Sequence, residues 1–174
     1  MQEKNSINEI IKQIRTQEDA GAFSEGADIL EEGIYYRDPS ALRDKLRSRL
    51  PQRIDLALGG EADKFLSKKD ADGLRSFIAS LRGAIKNLRI LRLELAFDPT
   101  GETIDYISSW VKREIGPDMI LDLGRDLSIR GGARIIFHGK LVEKSLGTMI
   151  ASWIERDREK IKESLRHAVT VRNQ

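Results

Sequence analysis

The chain has 174 residues, with 30 Lys and Arg against 28 Asp and Glu, and it has no cysteine. The lack of cysteine excludes a disulfide scaffold, a thiolate zinc site and a cysteine nucleophile, and the balanced charge argues against a polycationic nucleic-acid binder. No apolar run approaches the ~18 residues of a membrane-spanning helix, and the first residues lack a signal-peptide pattern, so we expect no direct membrane insertion.

The first half of the chain has a helical pattern. Isoleucines at positions i, i+3, i+4 and i+7 predict a first amphipathic helix with one apolar face. These are Ile7, Ile10, Ile11 and Ile14. The pattern breaks around residues 21–26, where two glycines fall, and a second, short helix is expected to carry Ile29, Leu30 and Ile34.

Three further helices are predicted before residue 89. Asp38-Pro39 predicts the start of the third helix, because a capping carboxylate precedes proline at the first helical position. Pro51 is expected to kink or split that helix, and Gly59-Gly60 to end it. A short helix containing Phe65 and a longer one over residues 70–88 follow.

After residue 88 the spacing of apolar residues changes from the helical repeat to every second position. Alternation predicts a strand over Leu91–Phe97, a helix with Ile104, Ile107 and Val111 inside, and a strand over Met119–Leu123. Two more strands, residues 133–137 and 141–143, should form a hairpin through His138-Gly139-Lys140, followed by a helix from near Ser145. The expected fold class is therefore α+β. A helical bundle domain (1–88) precedes a small α/β domain (89–174) of order strand-helix-strand-hairpin-helix, which ends in a charged helix.

No catalytic or cofactor pattern is found. Gly131-Gly132 and Gly139 lack the spacing of a phosphate-binding loop, so we interpret them as structural turns. The two histidines, His138 and His167, cannot supply a zinc site without cysteine. A nucleophile elbow is absent, and the sequence favours a protein that is not an enzyme and has no cofactor or metal.

Two surfaces are candidates for partner binding. The first is the face formed by Ile7, Ile10, Ile11 and Ile14, which either packs in its own core or contacts a partner helix. The second is the apolar side of the last helix, a candidate both for core and for partner contact. Its residues are Met149, Ile150, Trp153 and Ile154.

A basic cluster spans Arg43–Arg53. It leaves open an alternative function as a nucleic-acid-binding adaptor. Acidic residues dilute the cluster and no aromatic residues interleave with it, so nucleic-acid binding is not the favoured interpretation.

The second half resembles the C-terminal domain of the delta subunit of F-type ATP synthases, the oligomycin-sensitivity-conferring protein family. The resemblance is carried by Leu93–Thr100, the Ile104–Ile115 helix and, above all, Asp126–Ile136. That last stretch has an aspartate, then Gly-Gly, then an aliphatic strand. His138–Leu146 continues with a tight turn, a short strand and a helix start. The E-type stalk protein of archaeal and vacuolar-type rotary ATPases ends in a related pattern, but normally begins with a much longer uninterrupted helix.

The resemblance implies a non-catalytic peripheral-stalk, or stator, subunit active in ATP synthesis and hydrogen-ion transport. Its helical domain would bind the catalytic head of alpha and beta subunits, and its C-terminal domain the b-type stalk. It would lie peripherally on the cytoplasmic face of the energy-transducing membrane as part of the ATP synthase complex. Stator function needs large, rigid interfaces rather than a reactive group.

Overall fold

The computed structural model describes residues 2–36, 38–68, 70–137, 140–145 and 155, and it confirms the α+β class. Its helices are α1 (Gln2–Gln13), α2 (Gln17–Gly33), α3 (Pro39–Arg49), α4 (Gln52–Leu66), α5 (Ala71–Lys86) and α6 (Gly101–Glu114). Its strands are β1 (Arg89–Leu95), β2 (Met119–Arg125), β3 (Gly132–Phe137) and β4 (Lys140–Ser145). In the described part of the chain, no helix is long and apolar enough to cross a membrane.

Four helices begin at a side chain that accepts a hydrogen bond from the first helical turn. Asp38 accepts from the backbone N–H of Ser40, as Asp38-Pro39 predicts, and Asp70 accepts from that of Gly73. Thr16 and Thr100 cap α2 and α6 in the same way. Each cap satisfies a backbone donor that the helix itself leaves unpaired. Pro51 separates α3 from α4, so the predicted split of that helix is confirmed.

The predictions that glycines interrupt the helices are wrong. α2 runs through Gly21 and Gly26, and α4 runs through Gly59 and Gly60 to include Phe65, for which the sequence predicts a separate short helix. At Gly26 the reason is close packing, because a Cβ atom there would collide with the buried side chain of Leu58. Tertiary contact therefore outweighs the low helix propensity of glycine, which costs about 1 kcal/mol per residue.

The chain divides into two compact units. The first contains residues 1–91 and 100–122, and the second contains residues 92–99 and 123–174. The hydrophobic core of the first unit draws on all of its helices from α1 to α5. Its most deeply buried members include Ile14, Phe23, Ala27, Leu30, Leu42, Leu46, Ile54, Leu58, Ala62, Phe77 and Leu81. The proposed domains 1–88 and 89–174 stay a prediction.

The four strands form one sheet in the order β2-β1-β3-β4. β3 is antiparallel to both β1 and β4, with Leu93 opposite Ile135, so the predicted hairpin of residues 133–137 and 141–143 is confirmed. At the start of β1 the Arg89 N–H donates to Asp118, and at its end Leu95 accepts from the Asp126 N–H, which makes β1 and β2 parallel. The tip of the hairpin, at His138 and Gly139, lies outside the described residues.

The predicted alternation of buried residues in β1 is confirmed, but the predicted ends of the strand are not. Leu91, Leu93 and Leu95 are buried, whereas the strand ends at Leu95 and Phe97 lies beyond it with 47% of its surface exposed. The strand ends early because the chain bends at residues 96–97 before the turn that leads into α6. The strand thus starts two residues earlier than Leu91 and stops two residues before Phe97.

Candidate interaction surfaces

The apolar face of α1 lies in the core of the first unit. Ile7, Ile10 and Ile14 are buried there, and Ile11 is half-buried and packs against the same core. Of the two alternatives for this face, the structure favours core packing over direct contact with a partner. A partner would reach these side chains only if α1 left its place on the bundle.

The second predicted surface falls outside the described residues. This applies to Met149, Ile150, Trp153 and Ile154, and of the last helix only Glu155 is described, in helical conformation. Of the three turn glycines, Gly139 is likewise outside. Gly131 and Gly132 have φ values of 73° and 99°, in the region that favours glycine.

Three of the five basic residues in the cluster are paired with acidic partners. Arg43 forms an ion pair with Asp63 at 2.6 Å, and Lys45 forms one with Glu32. Arg53 lies 2.6 Å from Asp19. These three groups are already engaged, whereas the side chain of Arg47 is 75% exposed, so only part of the positive charge of the cluster is available to attract a phosphate backbone.

Lys112 of α6 binds the C-terminal end of α1. Its ammonium nitrogen donates to the carbonyl oxygens of Ile14 at 2.6 Å, Lys12 at 2.7 Å and Ile11 at 3.3 Å. The carbonyls of Lys12 and Ile14 lie at and just beyond the end of α1, where C=O groups lack a partner within the helix, whereas the carbonyl of Ile11 also accepts from the backbone N–H of Ile14. Burial lowers the pKa of Lys112 from 10.5 to about 8, since removal from water disfavours the charged form.

Around this contact, Asp19 joins several elements through charged hydrogen bonds. It accepts from the backbone N–H and the side chain of Arg15 and from the side chain of Arg53. Arg15 also donates to Asp105 of α6 at 2.8 Å. Burial alone would raise the pKa of Asp19, but the hydrogen bonds from Arg15 and the charge of Arg53 outweigh it and lower the pKa. A cleft of about 280 Å³ opens beside Arg15 and Lys112, yet their donors are already engaged within the protein.

In the second unit, the turn before β3 is held by Asp126. Its carboxylate accepts from the backbone N–H of Ser128 at 2.8 Å and from Arg134 at 2.7 Å. Arg134 also donates to Glu94 of β1 at 3.0 Å. The hydrogen bonds of Ser128, followed by that of Arg134, lower the pKa of Asp126. Asp126 therefore fixes the approach to Gly131-Gly132 and links it to the sheet.

An exposed aromatic pair lies on α6. Tyr106 and Trp110 are one helical turn apart, so they share a face, and 75% and 42% of their surfaces are exposed. Tyrosine and tryptophan are enriched among the residues that dominate protein–protein binding energies. The sequence predictions do not include this face, because they cover only the inner positions of α6. The sequence does contain an indication of this face, because its two aromatic residues are four positions apart on the side of the helix away from Val111.

Within the described residues, no group of three or more histidine or acidic side chains is placed to hold a metal ion. The chain matched no family model, and no curated protein matched it significantly.

Proposed function

We propose that this protein is a non-catalytic stator subunit that links the catalytic head of a rotary F-type ATP synthase to its b-type peripheral stalk. In this role it lies peripherally on the cytoplasmic face of the energy-transducing membrane. One observation carries the proposal: the residues that resemble the delta subunit occupy a strand-helix-strand-hairpin arrangement in the order that the resemblance implies.

The residues of the resemblance also have structural tasks that fit a scaffold. Asp126 closes the turn through Ser128 and Arg134, and Gly131 and Gly132 take φ values that side chains disfavour. None of these groups is free for chemistry, since each is used to hold the backbone. A pattern of this kind specifies a shape, and a stator subunit functions through its shape.

A stator has to resist torque, and the first unit has suitable cross-links. Lys112 and Arg15 connect α1 and the residues after it to α6, and Arg53 connects α4 to Asp19 of α2. Networks in which the charged groups are partly buried and mutually hydrogen-bonded hold their elements more firmly than isolated exposed pairs. These contacts support a rigid linker.

The aromatic pair Tyr106 and Trp110 is the described surface best suited to contact the complex. It presents two large aromatic side chains to solvent on one face of α6. A position in an assembly would remove this surface from water, which is the main source of binding energy in such contacts.

The two alternatives have weaker support. A stator protein of the archaeal and vacuolar E type would begin with a long uninterrupted helix, whereas α1 has 12 residues and α2 has 17. A nucleic-acid-binding adaptor would need free cations, whereas Arg43, Lys45 and Arg53 are paired with carboxylates.

Affinity purification of the tagged protein tests the proposal. The protein is recovered from gently solubilised membranes of its source, and its partners are identified by mass spectrometry, with an untagged strain as control. Co-purification of head and b-type subunits supports the stator role. Recovery of nucleic acid with an affinity that falls steeply with salt would support the adaptor instead. Recovery of neither from an intact preparation would contradict both.

A further inference from the structure

Asp55 is the only carboxylate among the described residues that is buried, with 4% of its surface exposed. It lies in the first turns of α4, and its side chain is only 6% exposed. Its one charged neighbour among the described residues is Arg47, whose Nε is 3.9 Å from Oδ2, beyond hydrogen-bond distance. The Arg47 side chain is itself 75% exposed and points largely into solvent.

Asp19 is a largely buried carboxylate that does have hydrogen-bond donors, and it serves as a comparison for Asp55. With its side chain 12% exposed, Asp19 receives donors from the backbone and side chain of Arg15 and from Arg53. Removing a carboxylate from water is unfavourable unless donors of this kind compensate it. Asp55 is buried to a similar extent, and its charged neighbour Arg47 stays 3.9 Å from its carboxylate.

A cleft opens at Asp55. It has a volume of about 430 Å³ and is lined by Arg47, Gln52, Asp55 and Leu56. Every fully buried polar side-chain atom in the described residues has a hydrogen-bond partner. The oxygens of Asp55 have none within that part of the chain, so they are not fully buried and instead reach the space of the cleft. Leu56 beside it is 63% exposed. The cleft thus combines a carboxylate at its base with an apolar side chain at its rim.

We propose that this cleft, at the corner between α3 and α4, binds an arginine side chain of a partner polypeptide. The guanidinium group would donate to Asp55, and the aliphatic part of the arginine would pack on Leu56. A guanidinium fits better than an ammonium group, because its planar fork donates two parallel hydrogen bonds to one carboxylate and is less strongly hydrated. A single carboxylate supplies too few ligands for a metal ion.

The surrounding charges permit a cation to enter. Arg43 and Arg53, two other basic residues of the cluster, are paired with Asp63 and Asp19. Arg47 is the competing cation, and its long side chain is free to move into solvent. Removing its charge should therefore strengthen binding. This result would separate the proposed site from an internal ion pair between Arg47 and Asp55.

The test is a titration of the full chain with N-acetyl-arginine-methylamide, followed by NMR of the backbone amides. The matched control probe is N-acetyl-citrulline-methylamide, which has the same shape without the charge. We expect saturable shifts at Gln52, Asp55 and Leu56 with a Kd on the order of millimolar, and no saturable shift with citrulline. Arg47→Gln should lower the Kd by at least about threefold.

Two variants that remove parts of the site complete the test. Asp55→Asn keeps the shape of the side chain and should weaken binding by at least about tenfold, whereas the exposed Asp44→Asn should not. If Asp55→Asn does not fold, Leu56→Ala provides the test, since it changes an exposed residue and should weaken binding about threefold. Equal binding of the two probes, or an unchanged Kd in Asp55→Asn or in Leu56→Ala, would overturn the proposal. The inference does not depend on the stator role.

Discussion

The ammonium nitrogen of Lys112 lies 2.6 Å from the carbonyl oxygen of Ile14, across 98 residues of sequence. α1 ends at Gln13, so two of the carbonyls that Lys112 reaches, those of Lys12 and Ile14, lie where the helix supplies no backbone partner. The helix dipole favours a positive charge in this place, but burial outweighs it and lowers the pKa of Lys112. A residue of α6 therefore completes the end of α1.

Replacing Lys112 with Met should destabilise the protein. The substitution keeps the aliphatic part of the side chain but removes the charge and the donors to the α1 carbonyls. We expect the free energy of unfolding to fall by about 1–2 kcal/mol, measured by urea denaturation at pH 7. The matched control is Lys12→Met, an exposed lysine near the same helix end, which should change stability by less than about 0.5 kcal/mol. Equal losses in the two variants would contradict the capping role.

The stability contribution of Lys112 should also depend on pH. The pKa of Lys112 is about 8 in the folded protein and 10.5 ordinarily, so between these values the unfolded chain binds more protons than the folded one. Stability rises with pH wherever this holds. We expect the unfolding free energy of the wild type, relative to Lys112→Met, to increase from about pH 8 to about pH 10.5. A constant or falling difference across that window would show that the pKa is not lowered.

Two glycines of α2 should respond in opposite directions to alanine. At Gly26 a Cβ atom would collide with Leu58 and lie 3.0 Å from Leu50, so Gly26→Ala should destabilise the protein by about 1–2 kcal/mol. At Gly21 no atom outside the neighbouring residues and backbone of its own helix lies within 4 Å of the added carbon. Gly21→Ala should therefore stabilise the protein by about 0.5–1 kcal/mol through helix propensity. Thermal unfolding of the two variants checks both signs, and a loss at Gly21 would contradict the open environment seen there.

If the stator proposal holds, Tyr106→Ser should weaken recovery of the ATP synthase subunits without loss of stability. Tyr106 is 75% exposed, so its removal should leave the unfolding free energy within about 0.5 kcal/mol. A hot-spot contact contributes about 2 kcal/mol, roughly a thirtyfold change in affinity. The control is Leu127→Ser, at an exposed leucine outside α6. Undiminished recovery with Tyr106→Ser would exclude this face as the contact surface.

The parts of the fold that depend on local chemistry were predictable from the sequence. Asp38-Pro39 and Asp70 start their helices because a capping carboxylate needs only the next few backbone N–H groups. The alternation in β1 gave the correct buried side because the side-chain period of a strand is fixed. In these places neighbouring residues contain all of the information.

The parts that could not be predicted depend on distant residues. Glycine patterns predict helix ends in α2 and α4, whereas the collision of a Cβ at Gly26 with Leu58 is set by a contact between helices. The cap by Lys112 and the burial of Asp55 likewise arise from tertiary packing and have no local signature. The partner-binding role predicted for the α1 isoleucines could not be separated from core packing, because both uses require the same periodic face.

The short extended stretch between α1 and α2 has a consequence for self-association. β2 is the outermost strand on its side of the sheet, and the backbone N–H of Leu121 donates to the carbonyl oxygen of Arg15, with Thr16 bridged alongside in parallel. An uncovered outer strand offers its free N–H and C=O groups as a template on which a second molecule can add a strand. Arg15 and Thr16 occupy part of this strand edge, so they hinder the intermolecular strand pairing that leads to aggregation.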